Sequence, residues 1–214
     1  MDHKEQLVKA GAKMKADKLT VETWGNLSIC DRERGLVTIT PSGMDYDAIA
    51  PEDMVVVDLA GNHVEGFRKP SIEVPMHTAI YRARPDVSAI IHTHPIWSTV
   101  FSCMGEDIPV FHDEGAQALN CEVVRTAKYA LPSTPELAKN CLEALGEASA
   151  CMLMSHGAVC VGDSIAACFK VSAVLEMMAQ LYQLIRATGG QPVPLSRENI
   201  AIMRDFARTQ YGQR

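Results

Sequence analysis

The chain has 214 residues, a formal net charge of -6 and a pI near 5.6. That length buries a sizeable core in one domain spanning 1–214, and 47% hydrophobic with 21% charged residues is the balance of an ordinary soluble globular protein. The absence of a basic run or basic-aromatic stripe argues against nucleic acid as a partner, and seven cysteines, an odd number with no C-x-x-C pair, argue against a disulfide framework.

The N-terminus, Met1-Asp2-His3-Lys4-Glu5, has no apolar stretch of the kind that opens a secretory signal. Several cysteines sit in apolar runs such as Cys151-Met152-Leu153-Met154, and they read as buried free thiols in a reducing, cytoplasmic compartment. Residues 3–19 carry Leu7, Ala10 and Met14 at helical spacing. Leu36 to Thr40 is strand-like and stops at the turn Pro41-Ser42-Gly43. Met54 to Leu59, then Gly61-Asn62 and Val64, predict a hairpin. Ser71 precedes a short helix over Val74 to Arg84, ended by Pro85. Val87 to His94 is a strand by its β-branched content, and Pro95 suits the first position of the next helix. Thr134-Pro135-Glu136-Leu137 starts a helix that Gly146 stops. Cys151 to Val161 reads as strand, turn, strand around His156-Gly157. Asp163 to Thr188 is a long helix closed by Gly189-Gly190, and Ser196 to Thr209 is the last helix. Lys170 and Glu176 interrupt the apolar stretch of the long helix, which argues against a membrane span. Interleaved strands and helices with hairpin-like pairs fit one α/β domain with a mixed or antiparallel sheet.

Three of the seven histidines have an unusual setting. Ile90-Ile91-His92-Thr93-His94-Pro95 ends a strand, and alternation along a strand points His92 and His94 to one face. His156 ends another apolar strand. Three neutral imidazoles leave a position open for water or substrate, the pattern of a catalytic zinc site. They also accept manganese, cobalt or iron. Polar residues at strand ends are the plainer reading of each histidine alone. His3, His63 and His77 read as terminus, turn and helix face. Glu73 falls in the first turn of a helix, where a carboxylate suits the helix dipole and where it also stands as a base or metal ligand. Gly25-Asn26, Ser42-Gly43 and Ser71 are turn and helix-start residues whose backbone N–H groups suit a phosphate; ordinary turn chemistry accounts for each singly.

Gly25-Asn26-Leu27-Ser28, Thr40-Pro41-Ser42-Gly43, Lys69-Pro70-Ser71, His92-Thr93-His94 and Ser155-His156-Gly157 stand in the order and spacing of the class II aldolase/adducin-head family. The chain resembles that family from about Leu7 to Tyr211, and the family includes L-fuculose-1-phosphate aldolase and L-ribulose-5-phosphate 4-epimerase. The resemblance implies a three-layer α/β/α domain with a largely antiparallel central sheet, and a homotetramer with active sites between subunits. It implies a divalent metal, zinc or a similar ion, on His92, His94 and His156, and phosphate on Gly25, Asn26, Ser42, Gly43 and Ser71. It gives Glu73 the role of acid/base and Tyr211, from a neighbouring subunit, that of proton donor.

Within the family Glu73 is like the aldolases, whereas the epimerases carry Asp there. Asp31-Arg32-Glu33-Arg34-Gly35 and Glu52-Asp53-Met54-Val55-Val56-Val57 look more like the epimerase. Two departures stand out. Ile72 takes the place of a second phosphate-binding serine, which opens the way to an unphosphorylated substrate. Asp113, with Glu114 beside it, stands near where the aldolase has Tyr and the epimerase Asp; a role in proton transfer and a solvated acidic turn are equal readings. The implied function is metal-dependent retro-aldol cleavage of a small ketose or ketose phosphate. Epimerisation, decarboxylation of a sugar acid and a non-catalytic adducin-like scaffold are the alternatives.

Overall fold

The computed structural model describes residues 2–212. In chain order the elements are α1 (His3–Ala16), β1 (Asn26–Asp31), β2 (Leu36–Ile39), a 3-10 turn (Pro51–Asp53), β3 (Val55–Asp58), β4 (His63–Glu65), α2 (Val74–Ala83), β5 (Ala89–Thr93) and α3 (Ile96–Met104). There follow β6 (Ile108–Pro109), α4 (Asp113–Ala118), β7 (Val123–Val124), β8 (Thr126–Ala127), α5 (Pro135–Leu145), β9 (Ala150–Leu153), β10 (Gly157–Gly162), α6 (Ile165–Ala187) and α7 (Arg197–Thr209). Eight strands form one sheet in the order β4-β3-β2-β1-β5-β10-β9-β8, antiparallel throughout except for the β8–β9 pair; β6 and β7 pair separately.

Alternation along the strands divides the apolar residues between two cores. Leu27 and Ile29 of β1, Ala89 and Ile91 of β5, and Ala158 and Cys160 of β10 face a layer containing α1, α3, α4 and α6. Val37, Ile39, Val55, Val57, Ile90, Val159 and Val161 face α2 and α5. A sheet covered on both faces is the three-layer α/β/α arrangement that the family resemblance implies.

The helix limits follow local chemistry. Thr134, Ser164 and Ser196 each accept a backbone N–H through the side-chain oxygen, at 3.2, 3.2 and 3.1 Å, and cap α5, α6 and α7. Pro95 caps α3 instead of occupying its first position. α6 is long and apolar enough to cross a membrane by composition, but it lies against the sheet with Leu175, Met178 and Ala179 buried. Glu176 accepts the backbone N–H groups of Trp97 at 2.7 Å and Ser98 at 2.9 Å, so α6 supplies the anion for the start of α3. Five cysteines are buried free thiols; Cys103 is exposed and Cys121 half-buried.

β1 is the strand that turn chemistry hid. Gly25-Asn26 read as a turn pair, yet Asn26 is already paired with His92 across the sheet. The alternation Asn26-Leu27-Ser28-Ile29-Cys30 is a strand whose one face is polar because it meets a site.

Candidate active site

His92 sits at the centre of the sheet, opposite Asn26 on β1 and Val159 on β10. It shares the α2/α5 face with Ile90, and His94 follows on the same face. His156 lies in the three-residue turn between β9 and β10. The turn is tight: a Cβ at Gly157 would come within 2.3 Å of the Thr93 carbonyl oxygen and 2.7 Å of His94 Cδ2. Close approach of this backbone brings the three rings together, with centroids 4.7, 4.8 and 5.0 Å apart.

The rings are neutral. Burial is the main cause, holding His92 and His156 at about 4 and His94 at about 3, below the ordinary histidine value. His92 Nδ1–H donates to the Ala158 carbonyl at 3.0 Å, which leaves Nε2 as a bare lone pair. That lone pair lies 2.9 Å from His94 Nε2, and ligand atoms of all three rings fall within 4.8 Å of one another. Two facing lone pairs at that distance repel, so either a proton or a cation stands between these nitrogens. The donor set fits a divalent metal ion of the zinc type.

Glu73 stands one residue outside α2, as its N-cap and not in its first turn, and makes no capping hydrogen bond. Its carboxylate is turned inward and is only 3% exposed. Oε2 lies 3.2 Å from His92 Nε2 and Oε1 3.7 Å from His156 Nε2. Asn26 Nδ2 donates to Oε2 at 2.8 Å, and Oε1 has no hydrogen-bond partner among the described residues. A buried carboxylate with one oxygen held and the other without a hydrogen-bond partner among the described residues, beside a metal-type donor set, suits proton transfer.

His77 departs from its sequence reading as a helix-face residue. It is fully buried, with Nε2 2.6 Å from Asn26 Oδ1 and Nδ1 2.6 Å from Ser28 Oγ. Burial lowers it to about 3, so it too is neutral. Its spacing of four from Glu73 would have put both on one side of a helix. The missing signal was β1, which carries Asn26 and Ser28 beneath it.

The residues expected to hold phosphate surround the same opening. A cavity of about 610 Å³ is lined by Gly25, Asn26, Ser42, Gly43, Ser71, Glu73 and the three histidines, together with Trp24, Ile72 and Pro132. Its two turns are stitched together: Ser42 N–H donates to the Lys69 carbonyl and Ser71 N–H to the Thr40 carbonyl. Tyr46 Oη donates to the Gly25 carbonyl at 2.8 Å and fixes the first turn. Gly25 and Gly43 have φ of 74° and 68°, the left-handed region such turns use. Ser71 precedes the cap of α2 by two residues, and its Oγ accepts the Glu73 N–H at 3.2 Å.

Two expected residues lie apart from this cavity in the single chain. Asp113 opens α4, on the other side of the sheet, and neither it nor Glu114 lines the cavity. Glu114 instead pairs with His112. Tyr211 follows α7, is 65% exposed and leans on Phe206.

The family model described as "Class II Aldolase and Adducin N-terminal domain" matches residues 5–183. A 5-deoxy-D-ribulose 1-phosphate aldolase of Bacillus thuringiensis serovar kurstaki is 37% identical over 186 residues, 87% of this chain and 86% of that one. A 5-methylthioribulose-1-phosphate/5-deoxyribulose-1-phosphate aldolase of Rhodospirillum rubrum is 37% identical over 176 residues, 82% and 78% of the two chains. Among solved structures, an L-fuculose 1-phosphate aldolase superposes with a TM-score of 0.92 at 39% identity, covering 97% of this chain and 96% of that one. Sequence, fold and donor set agree: the chain belongs to the class II aldolase and adducin N-terminal domain family, and within it to the aldolases.

Proposed function

We propose that this enzyme cleaves a ketose 1-phosphate between C3 and C4, releasing dihydroxyacetone phosphate and a short aldehyde with an apolar end. The observation that carries the reading is the buried Glu73 carboxylate set among three neutral imidazoles, in a cavity whose rim is two backbone turns. When held by His92, His94 and His156, a divalent ion, zinc in our reading, supplies Lewis-acid chemistry at the substrate's carbonyl and neighbouring hydroxyl oxygens. Glu73 returns the proton to C3 after the bond breaks, and removes it in the condensation direction. Gly25 and Gly43 hold the phosphate through the backbone of their turns, Asn26 through its side-chain amide, and Ser42 and Ser71, whose own N–H groups are already donated, through their hydroxyls. Tyr211 of a neighbouring subunit in a homotetramer serves the oxygen of the departing aldehyde.

Trp24 and Ile72, each 59% exposed, and Pro132 give the cavity an apolar wall. Such a wall favours an alkyl or thioether end over a hydroxylated one. The two curated relatives are named for ketose 1-phosphates with such an end at C5. The free thiols suit a cytoplasmic setting.

The test is aldehyde release from 5-deoxyribulose 1-phosphate, from its unphosphorylated form and from L-ribulose 5-phosphate, before and after chelation. Release from the first, stopped by chelator and restored by zinc, is the expected result. A stereoisomer or carbon dioxide without free aldehyde would overturn the reading.

A further inference from the structure

Glu73 is the near end of a buried hydrogen-bonded chain that runs away from the cavity. Asn26 Nδ2 lies 2.8 Å from Glu73 Oε2, and Asn26 Oδ1 lies 2.6 Å from His77 Nε2. His77 Nδ1 lies 2.6 Å from Ser28 Oγ, which lies 2.8 Å from Tyr81 Oη. Asn26, Ser28, Glu73, His77 and Tyr81 are all buried. The chain is too dry for water to correct a wrong donor, so each link restricts the next.

The directions follow from the carboxylate. An ionised Glu73 only accepts, so Asn26 must present its NH2 to Oε2 and its carbonyl oxygen to His77. The carbonyl also only accepts, so His77 carries its proton on Nε2. Nδ1 is then an acceptor and takes the Ser28 hydroxyl proton. Ser28 Oγ in turn accepts from Tyr81 Oη. No donor faces a donor and no acceptor an acceptor along the five groups. A histidine protonated on both nitrogens would meet a hydroxyl that must then turn its proton onto Tyr81.

We propose that His77, held as the tautomer with its proton on Nε2, positions Glu73 through Asn26, anchoring Oε2 and leaving Oε1 as the oxygen that exchanges the proton with substrate carbon. His77 touches no substrate; it acts by fixing the Asn26 amide. The amide link excludes a proton wire, because Asn26 would have to rotate before passing a second proton. Without His77 the amide is free to flip, and a flipped amide turns its carbonyl oxygen on the carboxylate it now holds.

The role rests on the aldolase reading, and the test separates the two. Zinc-loaded wild type, His77→Leu and His77→Gln are each incubated in D2O with dihydroxyacetone phosphate and no aldehyde. Exchange of the hydroxymethyl proton, followed by NMR, reports Glu73 alone. His77→Leu is expected to slow exchange about 10–100-fold, the usual cost of losing an outer-shell partner, with zinc per subunit unchanged and half-saturation within about threefold. His77→Gln keeps an N–H for Asn26 and should stay within about threefold of wild type. Equal exchange by wild type and His77→Leu, or a Gln variant as slow as Leu, would overturn the positioning role. No exchange by the wild-type enzyme would overturn the aldolase reading and the role of His77 with it. 15N spectra of the histidines give a readout that needs no turnover: Nε2–H is expected at His77, and Nδ1–H would overturn the proposed direction of the chain.

Discussion

Glu73→Gln separates holding from proton transfer, because the amide keeps the size of the carboxylate but exchanges no proton. Its kcat should fall about 10²–10⁴-fold while the zinc content stays at one per subunit. Near-normal turnover with bound zinc would remove Glu73 from the chemistry. His77 adds a pH dependence to stability. Its folded value is about 3 against an ordinary 6.5, so the unfolded chain binds the extra proton first. The sign is therefore destabilising on acidification. The contribution is complete above about pH 6.5 and is lost progressively down to about pH 3, at ~1.4 kcal/mol per pH unit. Urea denaturation of the metal-free protein across that range should be less steep in pH for His77→Gln than for wild type, and a matching slope would show that His77 is protonated in the fold. His92, His94 and His156 gained meaning in the sequence only as a set, since each alone reads as a polar strand end, and the fold does bring the three together. His77 was not legible, since a histidine on a helix face gains meaning only from what packs over it.

At the level of elements, the β9–β10 turn and the two cavity turns use glycine for different reasons. Gly157 gives space to the Thr93 backbone, whereas Gly43 has nothing within 4 Å and uses glycine for its φ of 68° alone. Gly157→Ala must therefore push a neighbouring strand and should cost more than about 1–3 kcal/mol, the usual range for overpacking, along with zinc affinity. Gly43→Ala should cost about 1–2 kcal/mol from its left-handed backbone and leave zinc bound. Thermal melts with metal analysis distinguish the two. Most elements were readable because period and caps agreed: Thr134 and Gly146 bound α5, and Gly189-Gly190 follow the end of α6, whose cap Ser164 falls one residue after the Asp163 read from the sequence. β1 was missed because its short polar–apolar alternation begins at Gly25-Asn26, which reads as a turn pair, and the polar face carrying Asn26 and Ser28 meets a site instead of a core. Asp113 was placed by analogy of position; in the single chain it opens a helix across the sheet from the cavity, so a role for it, as for Tyr211, would have to be in a neighbouring subunit's site.

On the scale of the whole molecule, one chain supplies the metal-type donors, the carboxylate and the turns that rim the cavity, while Tyr211 stands exposed beside Phe206 and near the end of α7. Ile202 on the same helix is 57% exposed. An apolar flank ending in an exposed tyrosine fits the proposed tetramer, in which each site borrows that tyrosine. Light scattering should give about four times the chain mass. Co-refolding His92→Ala with Tyr211→Phe in equal amounts should restore about a quarter of wild-type activity, the fraction of sites drawing each intact residue from a different parent. No recovery would place tyrosine and histidines in the same chain's site.

The position of His92 between Asn26 and Val159 has a consequence for how the protein is made. The donors lie on β5 and on the turn before β10, more than sixty residues apart, and β1 must pair with β5 before Asn26 can hold Glu73. Pairings of such long sequence separation form slowly. On the proposed reading, metal capture is a late step in biogenesis, following sheet closure rather than nucleating it, and a nascent chain carries no assembled donor set with which to compete for the ion. Refolding rates should accordingly be the same with and without zinc, with the ion slowing only the unfolding limb.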